Sequence, residues 1–105
     1  MKIAIKKILL NTAMLATAFM LVNAHAGDVA AGKIKSASCA ACHGVNGKSS
    51  MPANPHLAGQ QEVYLVKAIK DYRDGKRKSP MMSPMAAGLS DTDIADLAAF
   101  FASLK

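Results

Sequence analysis

The chain has two cysteines, three positions apart in Cys39-Ala40-Ala41-Cys42, and a histidine follows directly at His43. On a helix, thiols at this spacing sit about one turn apart, close enough to add to the two vinyl groups of one haem. With both thioethers formed the macrocycle is pinned, and the neighbouring imidazole is brought under the iron as a proximal ligand. Three other chemistries use the same residues. A redox-active Cys-x-x-Cys belongs at a strand-to-helix junction, and no strand signal precedes Cys39. A structural zinc site wants four ligands, yet beyond these three only His56 remains downstream of residue 26. A plain disulfide would close a tiny loop and leave His43 without a role.

The surrounding chain sets the compartment. Residues 1–22 open with Lys2, Lys6 and Lys7, continue as an apolar run from Ile8 to Val22, and lead to Ala24-His25-Ala26, a small-x-small cleavage signal. The run is too short, and too interrupted by Asn11, Thr12 and Thr17, for a spanning helix of about 20 apolar residues. The expectation is a signal peptide over residues 1–26, cleaved after Ala26, and a periplasmic mature domain over residues 27–105. The formal charge of +6 includes the three leader lysines. Downstream, Lys67, Lys70, Arg73, Lys76, Arg77 and Lys78 cluster, with Asp91, Asp93 and Asp96 further on. Export, and a basic stretch with no stacking aromatic but Tyr72, argue against nucleic-acid binding.

The mature part is short and has no Trp, and two of the three Phe fall within it. So small a domain buries little apolar area and needs a staple or a filler. The elements that must position the motif read as helices and loops. A first helix is expected from Asp28, as N-cap, to the Cys39 region. Residues 44–59 hold Gly44, Gly47, Pro52, Pro55 and Gly59 and read as irregular. A second helix fits Gln60 to Arg73, with Leu65, Ala68, Ile69 and Tyr72 on one face and Gly75 closing it. Pro80 and Pro84 keep any long helix out of residues 76–88, where Met81, Met82 and Met85 cluster. The last helix starts at Ser90, with Asp93 completing a capping box and Ile94, Leu97, Ala98 and Phe101 on its apolar face.

In this order the motifs resemble the class I c-type cytochromes, especially small bacterial periplasmic members and the halves of dihaem relatives. The resemblance rests on Gly27-Asp28-Val29-Ala30-Ala31-Gly32-Lys33, Cys39 to Gly44, Pro55-His56-Leu57-Ala58-Gly59, the Met-containing loop and Leu89-Ser90-Asp91. It implies an all-α cytochrome c fold, three main helices and long loops wrapped around one covalent haem c. It further implies that the Pro55 carbonyl accepts a hydrogen bond from His43, leaving His56 on the surface, and that Met82 is the sixth iron ligand. Met81 and Met85 are the competing thioethers, and Met51 is expected to pack. Gly32 should meet Leu97 and Phe100 where the first and last helices cross, and Leu57, Leu65, Ile69 and Leu89 should line the haem.

A soft thioether favours ferrous iron and closes the last coordination site, so the implied function is electron transfer without substrate turnover. The implied partners are a reductase or oxidase, steered to the Lys67–Lys78 region by an acidic face, with membrane association only through them and the chain itself a monomer. Arg77 is alternatively placed to reach a haem propionate. The competing function is a catalytic or gas-sensing haem protein whose sixth site is open or labile.

Overall fold

The computed structural model describes residues 27–105; the expected leader and its cleavage site lie outside the described residues. Five α-helices follow in order: α1 (Val29–Lys35), α2 (Ala40–His43), α3 (Glu62–Arg73), α4 (Met82–Ala87) and α5 (Asp91–Ser103), with a 3₁₀ turn at Ser36–Ser38 between the first two. The described residues contain no strand.

Each end has a local cause. Asp28 caps α1, its Oδ1 accepting the Ala31 N–H at 3.0 Å. The single first helix expected up to Cys39 is instead three pieces, because Ser36 and Ser38 turn their hydroxyls back onto the Lys33 and Lys35 carbonyls and tighten the chain into the 3₁₀ turn. Helix α3 begins two residues later than Gln60 and ends with Gly75 at φ 80°, just past the Asp74 cap. The loop between Lys76 and Gly88 contains the short α4, which admits Pro84 because it falls in the first turn, where the N–H groups have no helical partner. Ser90 and Asp93 form the expected capping box of α5, with reciprocal bonds of 3.0 Å.

The core is built on α5. Ile94, Leu97, Ala98 and Phe101 are buried as the periodicity requires, and so are Ala99 and Phe100, because α1 covers one side of the helix and α3 the other. The crossing with α1 is backbone-close. A Cβ at Gly32 would lie 1.9 Å from the Asp96 carbonyl oxygen and 2.7 Å from Phe100 Cβ. The opposed backbone is therefore at Asp96 rather than Leu97. Gly27 repeats the approach one residue earlier on α5, against the Ala95 carbonyl at 2.0 Å.

Polar bonds fasten the same crossing. Asp96 is buried on α5 and accepts the Asp28 N–H at 2.8 Å and Lys35 Nζ at 2.7 Å. Lys35 also reaches Asp93 at 2.8 Å, so one ammonium spans two carboxylates a turn apart. Arg73 joins α3 to the start of α5 through the Leu89 carbonyl at 3.3 Å and Asp91 at 2.7 Å.

Two outcomes follow. Gly32→Ala should cost about 1–3 kcal/mol in denaturant unfolding, because helices must part to admit the methyl. Gly88→Ala, with nothing within 4 Å of its Cβ position, should be neutral or stabilise by up to about 1 kcal/mol. The second concerns acid. Lys35 and the Ser90 bonds hold the Asp93 carboxyl down at about 2, so its stabilisation is present above the ordinary carboxylate value of about 3.9 and is lost as pH falls through about 2. Asp93→Asn should therefore flatten the stability curve of the protein between about pH 4 and about pH 2.

Candidate functional site

The motif sits on a single turn of helix. Cys39 is the N-cap of α2, and its carbonyl receives the N–H groups of Cys42 at 3.3 Å and His43 at 3.0 Å. This turn places both sulfurs and the imidazole on adjoining faces of one short segment. Both cysteines are free thiols. Burial pushes the Cys39 thiol up from its ordinary value, the opposite of the lowered thiol that a redox-active Cys-x-x-Cys requires.

His43 is buried, at 7% exposure, and its Nδ1 lies 2.9 Å from the Pro55 carbonyl oxygen. A carbonyl only accepts, so Nδ1 carries the proton and Nε2 keeps its lone pair for a metal. The loop that delivers Pro55 closes on Gly47, whose carbonyl accepts the Leu57 and Ala58 N–H groups at 2.7 and 3.0 Å. Gly47 has φ 70°, and a Cβ there would stand 2.8 Å from the Ala58 nitrogen.

Further contacts hold the motif that sequence reasoning did not single out. Ser49 Oγ and Asn54 Nδ2 each donate to the Cys42 carbonyl at 3.0 Å, satisfying an acceptor that the end of α2 leaves open. The expected packing role of Met51 is not what the structure shows: the side chain is half exposed, and its sulfur accepts from Asn54 Nδ2 at 3.4 Å. A Ser-Ser-x-x-x-Asn run of turn formers carried this signal only in general form.

The opposite wall is α4. Ser79 Oγ accepts the N–H groups of Met81 and Met82 at 3.3 and 3.1 Å, and Ser83 Oγ accepts the Ser79 N–H at 3.0 Å. This clasp sets the first turn of α4, and with it Met82, which comes into contact with His43. Met82 is half-buried, whereas Met81 and Met85 are 66% and 46% exposed. Between the two walls, Cys39, Leu57, Ile69 and Leu89 are only partly buried against the core that contains Leu65, Leu97 and Phe101. Leu57, Ile69 and Leu89 are three of the four residues expected to line a haem, and their incomplete burial leaves an apolar surface that fits a flat ring; the fourth, Leu65, is buried in the core itself. The donor set fits as well: two free thiols, one imidazole with a defined tautomer, one thioether.

The basic stretch divides. Lys67 pairs with Asp71, Lys70 lies 3.9 Å from Asp91, and Arg73 binds Asp74 and Asp91. Among the described residues Lys76, Arg77 and Lys78 make no ion pair. Arg77 places its guanidinium 4.6 Å from the centre of the Tyr72 ring.

The family model for Cytochrome c matches residues 29–105. Cytochrome c-554(548) of Halomonas halodenitrificans is 53% identical over a stretch covering 74% of this chain and 98% of the relative. Cytochrome c4 of Pseudomonas aeruginosa is 54% identical over 76% of this chain but only 40% of its own length. The crystal structure of reduced recombinant cytochrome c4 from Pseudomonas stutzeri superposes with a TM-score of 0.73 at 46% identity, covering 76% of this chain and 47% of that one. This chain thus spans about half or less of the cytochrome c4 proteins it matches and nearly all of the smaller relative.

Because the Cys42 carbonyl has two donors, Ser49→Ala or Asn54→Ala alone should cost about 1 kcal/mol in unfolding. The double variant should cost more than the sum, since it alone strands the acceptor, and a double-mutant cycle measures the difference.

Proposed function

The chain belongs to the cytochrome c family and is an electron-transfer protein, and on that premise we propose a periplasmic carrier in which one haem c is held by Cys39 and Cys42 and ligated by His43 and Met82. The observation that carries this reading is the opposition of two differently prepared ligands. His43 presents Nε2 because Pro55 occupies Nδ1, and Met82 comes against it from a turn fixed by Ser79 and Ser83.

The haem supplies one-electron exchange between ferrous and ferric iron. The residues supply the conditions. Cys39 and Cys42 prevent loss of the group, and the Pro55 carbonyl holds the His43 ring in one orientation, so that little has to move when the charge changes. Leu57, Ile69 and Leu89, backed by Leu65, would exclude water from the ring faces, and Met82 would close the site that an exogenous ligand needs. A closed site performs no substrate turnover, so the protein acts as carrier and not as enzyme. Lys76, Arg77 and Lys78, not engaged in ion pairs among the described residues, form the part of the basic stretch available to an acidic redox partner, a reductase or an oxidase. Export by residues 1–26, with cleavage after Ala26, belongs to the same reading.

Met82→Ala should abolish the sulfur-to-iron charge-transfer absorption, lower the reduction potential by on the order of 0.1 V or more, and open the ferrous protein to rapid carbon monoxide binding. Met81→Ala and Met85→Ala should leave all three unchanged. Fast carbon monoxide binding by the wild-type protein would instead favour the open-site alternative.

A further inference from the structure

His56 is exposed, yet it is not idle. Its Nδ1 accepts the Ser49 backbone N–H at 2.8 Å. An accepting Nδ1 is unprotonated, so the ring is the neutral tautomer with its proton on Nε2. Ser49, held in this way, has its hydroxyl proton shared between the Cys42 carbonyl at 3.0 Å and the Met51 carbonyl at 3.1 Å and accepts the Met51 N–H at 3.0 Å. Directly before His56, the Pro55 carbonyl takes the proton of His43 Nδ1. Two consecutive residues therefore grip the motif from two sides, one through the carbonyl that precedes His43 and one through the His43 ring.

We propose that His56 is a positioning residue for His43: while neutral, it locks the Ser49–Pro55 loop and so holds the Pro55 carbonyl on the ligand, and its protonation releases that hold. This inference rests on the reading of His43 as the iron ligand. Protonation turns Nδ1 into a donor facing another donor, the Ser49 N–H, so the bond cannot survive it. The hollow around His56 is lined by Ser49, Ser50, Met51, Pro52, Asn54 and Pro55, none of which titrates. The chargeable groups on the adjoining segments are Lys48, next to Ser49, and Cys42 and His43 on α2. Among the described residues no carboxylate forms an ion pair with His56.

The sign follows from the ligand. A His43 that donates fully to Pro55 is more electron-rich and favours ferric iron. Releasing it raises the reduction potential, so the potential should climb as His56 takes up its proton.

The test is the reduction potential of the haem-loaded full chain from about pH 8 to about pH 5, for wild type, His56→Asn and His56→Ala. Asparagine keeps an acceptor near the position of Nδ1 but does not titrate. The wild-type potential should rise on acidification. His56→Asn should stay flat at the wild-type alkaline value, and His56→Ala should be flat at a higher value. The Ser49 amide should lose protection from hydrogen exchange by about tenfold in the alanine variant. Coincidence of the Asn and Ala potentials at about pH 8 would show that only the charge of His56 matters and would overturn the proposal, as would a flat wild-type curve. Should His56→Ala fail to load with haem, the wild-type Ser49 protection factor decides: loss on acidification supports the latch, and retention overturns it. A normally ligated protein with a flat curve fails this inference alone, whereas a protein without covalent haem fails the functional reading too.

Discussion

Six of the eight buried apolar residues among the described residues lie on α5, so α1 and α3 are positioned by what they press against that helix, while α4 packs on α3. α1 comes close enough for Gly32 to touch the Asp96 carbonyl, and Lys35 and the Asp28 N–H fasten the crossing through the Asp96 carboxylate. α3 takes the other side, and Gly59 ties the motif loop to the Phe101 carbonyl at 3.0 Å. α5 thus supports α1, which leads through the 3₁₀ turn into the segment bearing the thiols, and α3, on which the segment bearing Met82 packs.

That support does not close the domain. Leu57, Ile69 and Leu89 stay only partly buried, which is the consequence of asking so short a chain to enclose a core without Trp. A covalent, flat, apolar group, as the cytochrome c family implies, would resolve both problems by filling the cradle. On the proposed reading the polar bonds divide the work: those on the Cys42 carbonyl hold the tethering turn, the Pro55 bond orients the His43 ring, and the Ser79 bonds set the turn that carries Met82.

The parts legible in the sequence were those encoded over short range. The Cys39 to His43 run, the Asp28 cap, the Ser90 capping box and the apolar face of α5 each depend on residues within a turn or two of one another. The carbonyl of Pro55 and the close approach at Gly32 were legible only through family resemblance, because the partners lie twelve or more positions apart and no local propensity reports such a meeting. Lys35 with Asp93 and Asp96, Gly27 on Ala95, the Ser79 clasp on Met82 and the bond from Ser49 to His56 went unread. Each involves a common surface residue whose partner is chosen by tertiary packing. The break of the first helix was missed for a related reason: serine hydroxyls compete for backbone carbonyls, and only the packed chain shows which side prevails.

The central claim is that both sulfurs are consumed as permanent tethers. Intact mass spectrometry of the mature protein recovered from the cell envelope tests it most directly. The account predicts the polypeptide beginning at Gly27 plus one haem, resistant to acidic organic extraction, with no titratable thiol. A colourless polypeptide of unmodified mass, its thiols reactive or joined to each other, would contradict it.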